Sequence, residues 1–294
     1  MIYEKKKIIE HFGKEFYLDM LSKLNKYTKL WNLSEIRQID YYSVNCIFSC
    51  ISEKYGDCII KLGKPSNETL TESQTLLEYS ASGVFCRIYE ADITGGVLLI
   101  ERIIPGTRLR DEPNLDKRLD SFCGLLSDLH IKAADKSIYP TYLGWVTRIL
   151  EYMRTRSDCK ILFEKMEKAE KICRNLCEKY GNEMLLHGDL HHDNILIGEN
   201  NQLRIIDPKG VVGDKVFEIP RFILNEFDDE YNVDYVKKYK YTTGYISNKL
   251  EISEFDIRRL VFVEMSMANC WTVEDGGKPN IERVLFTEKM VEDV

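Results

Sequence analysis

Residues 185–196 read LLHGDLHHDNIL, placing three of the chain's five histidines beside two aspartates between apolar flanks. Two chemistries compete for such a stretch: a metal site built on histidine, or a catalytic loop whose oxygen ligands matter more. His187 and His191 stand four apart, the spacing that puts two ligands on one helix face in HExxH enzymes. Gly188 follows where that pattern needs glutamate, and glycine disfavours the helix. Gly188-Asp189-Leu190-His191 also offers the carboxylate and imidazole of two-metal phosphoesterases, but only His11 and His130 remain to complete such a site. The oxygen donors form a fuller set. Asn194 follows Asp189 by five residues, and Asp207, in RIIDPKG, follows it by eighteen. Phosphoryl transfer needs one carboxylate to accept the proton of the attacking hydroxyl, with an amide and a second carboxylate to hold Mg²⁺ against nucleotide phosphates. Magnesium prefers such hard oxygen ligands to imidazole. A strand–loop–strand–loop arrangement is expected to bring Asp189, Asn194 and Asp207 to adjacent ends of a small hairpin.

Working outward, the chain before this stretch changes texture twice. Residues 5–31 carry Ile8, Ile9, Phe12, Phe16, Leu21 and Leu24 at near-helical spacing. EIRQIDYYSVNCIFSCISEKYGDCIIKLG (35–63) is rich in β-branched and aromatic residues, and Gly56-Asp57 marks a turn, so three antiparallel strands are expected. A short helix over 67–82 and two strands, CRIYEADI and VLLIERI, follow, the strands joined at Thr94-Gly95-Gly96. The fold class is therefore α+β, with a mostly antiparallel five-stranded sheet and one packed helix in residues 1–103. Pro105-Gly106 interrupts any continuing strand and serves as a hinge candidate. Residues 104–294 read as mainly helical, with Asn114 capping one helix and Gly181 closing another.

Composition bounds the rest. A chain of 294 residues can bury two cores. A net charge of −7 without a basic stripe argues against nucleic acid and tolerates a cationic small molecule. No apolar run approaches the ~20 residues of a membrane span, and no apolar stretch follows the basic N-terminus, so a cytoplasmic, membrane-free protein is expected. Nine cysteines, an odd number without a CxxC pair, read as reduced and mostly buried thiols.

The motif HGDLHHDN followed by IDPKG resembles the aminoglycoside phosphotransferase family, a kinase-like group that phosphorylates small molecules. The strings IIDPKGVVGDKVFEI and CWTVEDGG are similar to its streptomycin-kinase and hydroxyurea-kinase branch. The resemblance implies a bilobal protein-kinase-like fold, ATP or GTP as phosphoryl donor and Mg²⁺ as cofactor. It makes Asp189 the catalytic base, Asn194 and Asp207 the Mg²⁺ ligands, and His187 a structural residue. It calls for a phosphate-gripping lysine, supplied by Lys61 in CIIKLG, and a helix glutamate, supplied by Glu72 in TESQTLLEY. Thr69-Leu70-Thr71-Glu72 fits a capping box as well. In place of a glycine-rich loop, YYSVNCIFSC offers Ser43 and Asn45 to the phosphates. Adenine is expected at the Glu101 carbonyl and the Ile103 amide. A cationic acceptor would meet carboxylates, with Glu226, Asp228, Asp229, Glu230, Glu264 and Asp275 as candidates, while Asp214 and Glu218 brace the loop after Asp207. A small metabolite such as a sugar, choline or a hydroxamate is the alternative acceptor, and a nucleotide-binding pseudokinase the alternative function. Oligomeric state and the roles of His191 and His192 stay open.

Overall fold

The computed structural model describes residues 3–39, 44–227 and 233–292. The chain divides into two compact units: Met1–Thr107 with Leu196–Asp207, and Arg108–Ile195 with Pro208–Val294.

The first unit opens with α1 (Lys5–Phe12) and α2 (Lys14–Leu30). A single helix was expected here, but Gly13 adopts a φ of 88° and separates the two. β1 (Leu33–Gln38), β2 (Cys46–Ser52) and β3 (Gly56–Leu62) follow, then α3 (Asn67–Glu78), β4 (Ile88–Asp92) and β5 (Val97–Glu101). The strands form one antiparallel sheet in the order β1-β2-β3-β5-β4. α2 buries Phe16, Met20, Leu24 and Tyr27 against Phe48, Cys58, Ile60, Leu62 and Leu99 of the sheet. Each such side chain contributes about 1.5–3 kcal/mol by leaving water. Because side chains alternate across a strand, Lys61 lies on the face opposite Ile60 and Leu62.

The chain does not simply leave this sheet at Pro105-Gly106. Those residues open β6 (Pro105–Arg108), an added strand where only a hinge was expected. The second unit then contributes α4 (Leu115–Asp128), α5 (Tyr142–Arg154), α6 (Lys160–Lys179) and β7 (Met184–Leu186). Next, β8 (Ile195–Gly198) and β9 (Leu203–Ile205) pair as a hairpin beside β6, so that residues 196–207 belong to the first unit. After it come β10 (Val211–Gly213), α7 (Ile219–Asn225), α8 (Val233–Leu250), α9 (Glu254–Glu274) and α10 (Ile281–Glu292). α9 is buried nearly all round, from Ile257 to Val273, and forms the helical unit's axis. All nine cysteines are free thiols, and seven are buried. No helix among the described residues is long and apolar enough to cross a membrane.

Candidate active site

In the first unit the chemistry gathers around Lys61. Its ammonium lies 2.5 Å from Glu72 Oε1 and ion-pairs with Asp207, with only 4% of the residue exposed. Glu72 sits within α3 and is itself buried. The cap of that helix is Ser66, whose hydroxyl accepts from the Thr69 amide, so Glu72 is not consumed by a capping box. Burial pulls the Lys61 pKa down, but the two carboxylates outweigh it and raise it above its ordinary value. The lysine is therefore a fixed cation.

Asp207 is carried to Lys61 by β9. The Ile205 amide donates to the Val84 carbonyl and the Cys86 amide to the Ile205 carbonyl. Arg204 adds bonds to the Phe85 carbonyl and to Glu101. Asp207 itself has a φ of 62°, a left-handed conformation that a non-glycine residue rarely adopts and that commonly marks functional loops. Of the other nucleotide-side candidates, Asn45 lies over Gly63, where an added Cβ would come 1.9 Å from its Oδ1. Ser43 falls outside the described residues. Glu101 ends β5 with its carboxylate taken by Arg204. Ile103 is buried, and its amide takes no partner among the described residues.

In the second unit, β7 pairs antiparallel with β10, and the loop 187–194 springs from that pair. The Glu218 carboxylate accepts from the amides of His187 (2.5 Å) and Gly188 (3.1 Å). Glu218 thus braces the loop before Asp189, not the one after Asp207. Asp214 instead caps the turn at 215–218, accepting from the Val216 amide. Gly188 has a φ of 79°, and an added Cβ would lie 2.9 Å from both Trp145 and Val211. Only glycine fits there.

Asn194 closes the loop. Its Nδ2 donates to the Asp189 carbonyl at 2.9 Å, leaving Oδ1 as its oxygen donor. The Asp189 carboxylate is a fifth exposed, with Oδ1 at 3.3 Å from Arg221 Nε and 3.7 Å from His191 Nε2. Arg221, at the start of α7, had drawn no attention in the sequence.

The three histidines diverge. His187 is fully buried, and its Nδ1 accepts from the Asp189 amide. Burial holds His191 below its ordinary pKa, more than the carboxylates beside it raise it. His192 turns away to Glu226, 2.5 Å distant, and stacks on Phe222. Among the described residues no three His, Cys, Asp or Glu side chains gather as a metal site. An amide and a carboxylate oxygen, with phosphate oxygens and water completing the shell, is what Mg²⁺ uses.

Two of the acceptor candidates have other employment. Glu226 is 7% exposed, bidentate to Arg118 at 2.7 Å and bonded to His192 and Lys238. Glu264 is 2% exposed and held by the Tyr142 hydroxyl at 2.5 Å and Arg221 at 2.7 Å. Both were offered as acceptor contacts; both are buried, and the cationic partners just named offset the cost of burying a carboxylate. Asp275 is exposed at the C-cap of α9. Asp228, Asp229 and Glu230 fall outside the described residues.

Burial pushes the Glu226 carboxyl up, but Arg118 and His192 outweigh it and hold it below the usual range. A depressed folded pKa contributes stability that is present above the unfolded value, about 4.3, and lost as pH falls through the folded one. The melting-temperature gap between wild type and Glu226→Gln is therefore expected to be widest at neutral pH and to narrow below about pH 4. Thermal melts across that range check it; a constant gap contradicts it.

Comparison with known proteins fits this geometry to a family. A hydroxyurea phosphotransferase of Kitasatospora aureofaciens is 24% identical over 220 residues, 73% of this chain and 64% of that protein. The chain thus matches less than two thirds of that relative's length. A streptomycin 6-kinase of Streptomyces griseus is 23% identical over 221 residues, 74% of this chain and 71% of that one. The choline kinase LicA from Streptococcus pneumoniae superposes with a TM-score of 0.66 at 15% identity, over 93% of this chain and 99% of that one. That likeness establishes the fold as protein-kinase-like: a five-stranded antiparallel sheet with a packed helix in one unit, and a mainly helical second unit. The model of the aminoglycoside/hydroxyurea antibiotic resistance kinases matches residues 44–276, most of the chain, and the protein belongs to that family.

Proposed function

We propose that the chain is a phosphotransferase that moves the γ-phosphoryl group of ATP or GTP to a hydroxyl of a small cationic acceptor, an aminoglycoside of the streptomycin type, and so confers resistance to it. The observation that carries this reading is Lys61. A lysine 4% exposed in the middle of a sheet is costly unless something requires it. Glu72 and Asp207 hold it as a charged donor that can meet phosphate oxygens.

In this reading Asp189 accepts the proton of the acceptor hydroxyl as its oxygen attacks phosphorus, and the nucleoside diphosphate leaves. Asn194 Oδ1 and the Asp207 carboxylate would hold Mg²⁺, which when bound would offset phosphate charge. Lys61, oriented by Glu72, does the same from the protein side. Asn45, with Ser43, contacts phosphate, and adenine meets the Ile103 amide and the Glu101 carbonyl. With Glu226 and Glu264 engaged elsewhere, the acceptor's cations are left to Asp275 and the carboxylates at 228–230. Catalysis then rests on positioning and charge stabilisation, since the protein forms no covalent bond to the phosphoryl group.

The test measures nucleoside diphosphate release from ATP and GTP with streptomycin, other aminoglycosides, hydroxyurea, choline and simple sugars, and identifies a phosphorylated product by mass. Acceptor-dependent turnover with an aminoglycoside is expected. Turnover with choline or a sugar alone would move the acceptor to a metabolite, and no stimulation by any of them would leave only a nucleotide-binding module.

A further inference from the structure

Arg221 has contacts that the reaction scheme above does not use. Its Nε lies 3.3 Å from Asp189 Oδ1, and its Nη2 lies 2.7 Å from Glu264 Oε1. The guanidinium sits over the Trp271 ring, 5.5 Å from its centroid. Glu264 is fixed in turn by the Tyr142 hydroxyl on its other oxygen, at 2.5 Å. Trp145, whose ring packs edge-on against Trp271 at 5.9 Å, is the same residue that forbids a side chain at Gly188. A chain of restrained groups therefore runs from Tyr142 through Glu264 and Arg221 to Asp189.

We infer that Arg221 is the positioning residue of the proposed base, holding the Asp189 carboxylate in one orientation toward the acceptor hydroxyl. The inference rests on the phosphotransferase reading. Arg221 touches Asp189, not substrate, so it acts through the base. Its Nε is buried and makes no well-aligned hydrogen bond, so its hold on Asp189 is Coulombic. Burial opposes the guanidinium charge, but Glu264 and Asp189 outweigh it, and the cation is permanent. Glu264 then has an assignment of its own. As a buried carboxylate it anchors the arginine from behind, where its charge also needs the partner.

A structural role and a positioning role separate in one experiment. Steady-state kinetics and melting temperatures are measured for wild type, Asp189→Asn, Arg221→Lys, Arg221→Ala and the double variant Arg221→Ala/Glu264→Gln, with the best acceptor of the panel. Arg221→Ala is expected to lower kcat by about 10²-fold, the scale of a misplaced catalytic group, with nucleotide KM little changed. It also lowers Tm, because Glu264 loses its counter-charge. Arg221→Lys keeps a cation but not the planar fork, and recovers part of kcat. The double variant removes the orphaned charge and regains Tm while kcat stays low. Recovery of kcat together with Tm in the double variant overturns the inference, as does wild-type kcat in Arg221→Ala. An Asp189→Asn enzyme as active as wild type overturns the phosphotransferase roles themselves, and this inference with them.

Discussion

Asp189→Asn is expected to reduce acceptor-dependent turnover by about 10²–10⁴-fold, the contribution usual for a positioned general base. The replacement is nearly isosteric, and the link from Asn194 goes to the backbone carbonyl of residue 189, not to its side chain. The loop therefore keeps its shape. What disappears is the carboxylate that can take a proton. The amide Nδ2 of the new residue can only donate, and its Oδ1 is a weak base. The melting temperature should fall only slightly, since a side chain already a fifth exposed loses one Coulombic contact with Arg221. Nucleotide affinity, read by calorimetry, should be unchanged, because Lys61 and its two carboxylate partners are untouched. A variant with full turnover would remove Asp189 from the chemistry, and one with weakened nucleotide binding would move it to the wrong substrate.

How far the sequence carried depends on the kind of signal. Lys61 was legible because the family resemblance calls for a lysine on the third strand, and CIIKLG supplies one in an otherwise apolar run where a buried cation needs a partner. The loop 187–194 was legible because its residue types and spacing answer a chemical need. The turn of the chain at Asp207 was not, since a positive φ at a non-glycine residue has no compositional mark. Nor was the added strand β6, which forms only when β8 returns from ninety residues downstream to pair with it. Arg221 was missed although a signal existed. It is the one charged residue in the apolar run IPRFIL, and a lone charge there implies a buried partner. Glu264, in VFVEMSM, carries the same signal, and as an acceptor candidate it was weighed for its charge without its burial. The two residues are one fact seen from each end: the ion pair between them is 43 residues long in sequence and 2.7 Å long in space.

The second large effect is expected at Lys61. Lys61→Met keeps the apolar stem that packs within the sheet and removes only the ammonium. Glu72, 6% exposed, and Asp207 then each lose the ammonium that pairs with them. Breaking a buried pair from one side costs about 3–5 kcal/mol, so the denaturant midpoint should drop sharply while the slope of the transition holds. Turnover should fall as well, through a raised nucleotide KM and a lower kcat, because the phosphates lose their protein-borne cation. These two losses have different causes, and a second substitution separates them. Adding Glu72→Gln removes the buried charge that lost its ammonium, so Lys61→Met/Glu72→Gln should regain most of the midpoint. It should regain none of the turnover. If turnover returns with stability, the lysine is a structural pin and the phosphate role fails. If the single variant is as stable as wild type, the buried ion pair is not the restraint that holds Lys61 in place. A double variant that melts like wild type and still fails to use nucleotide supports the phosphate role of the charge that Glu72 and Asp207 keep in the sheet.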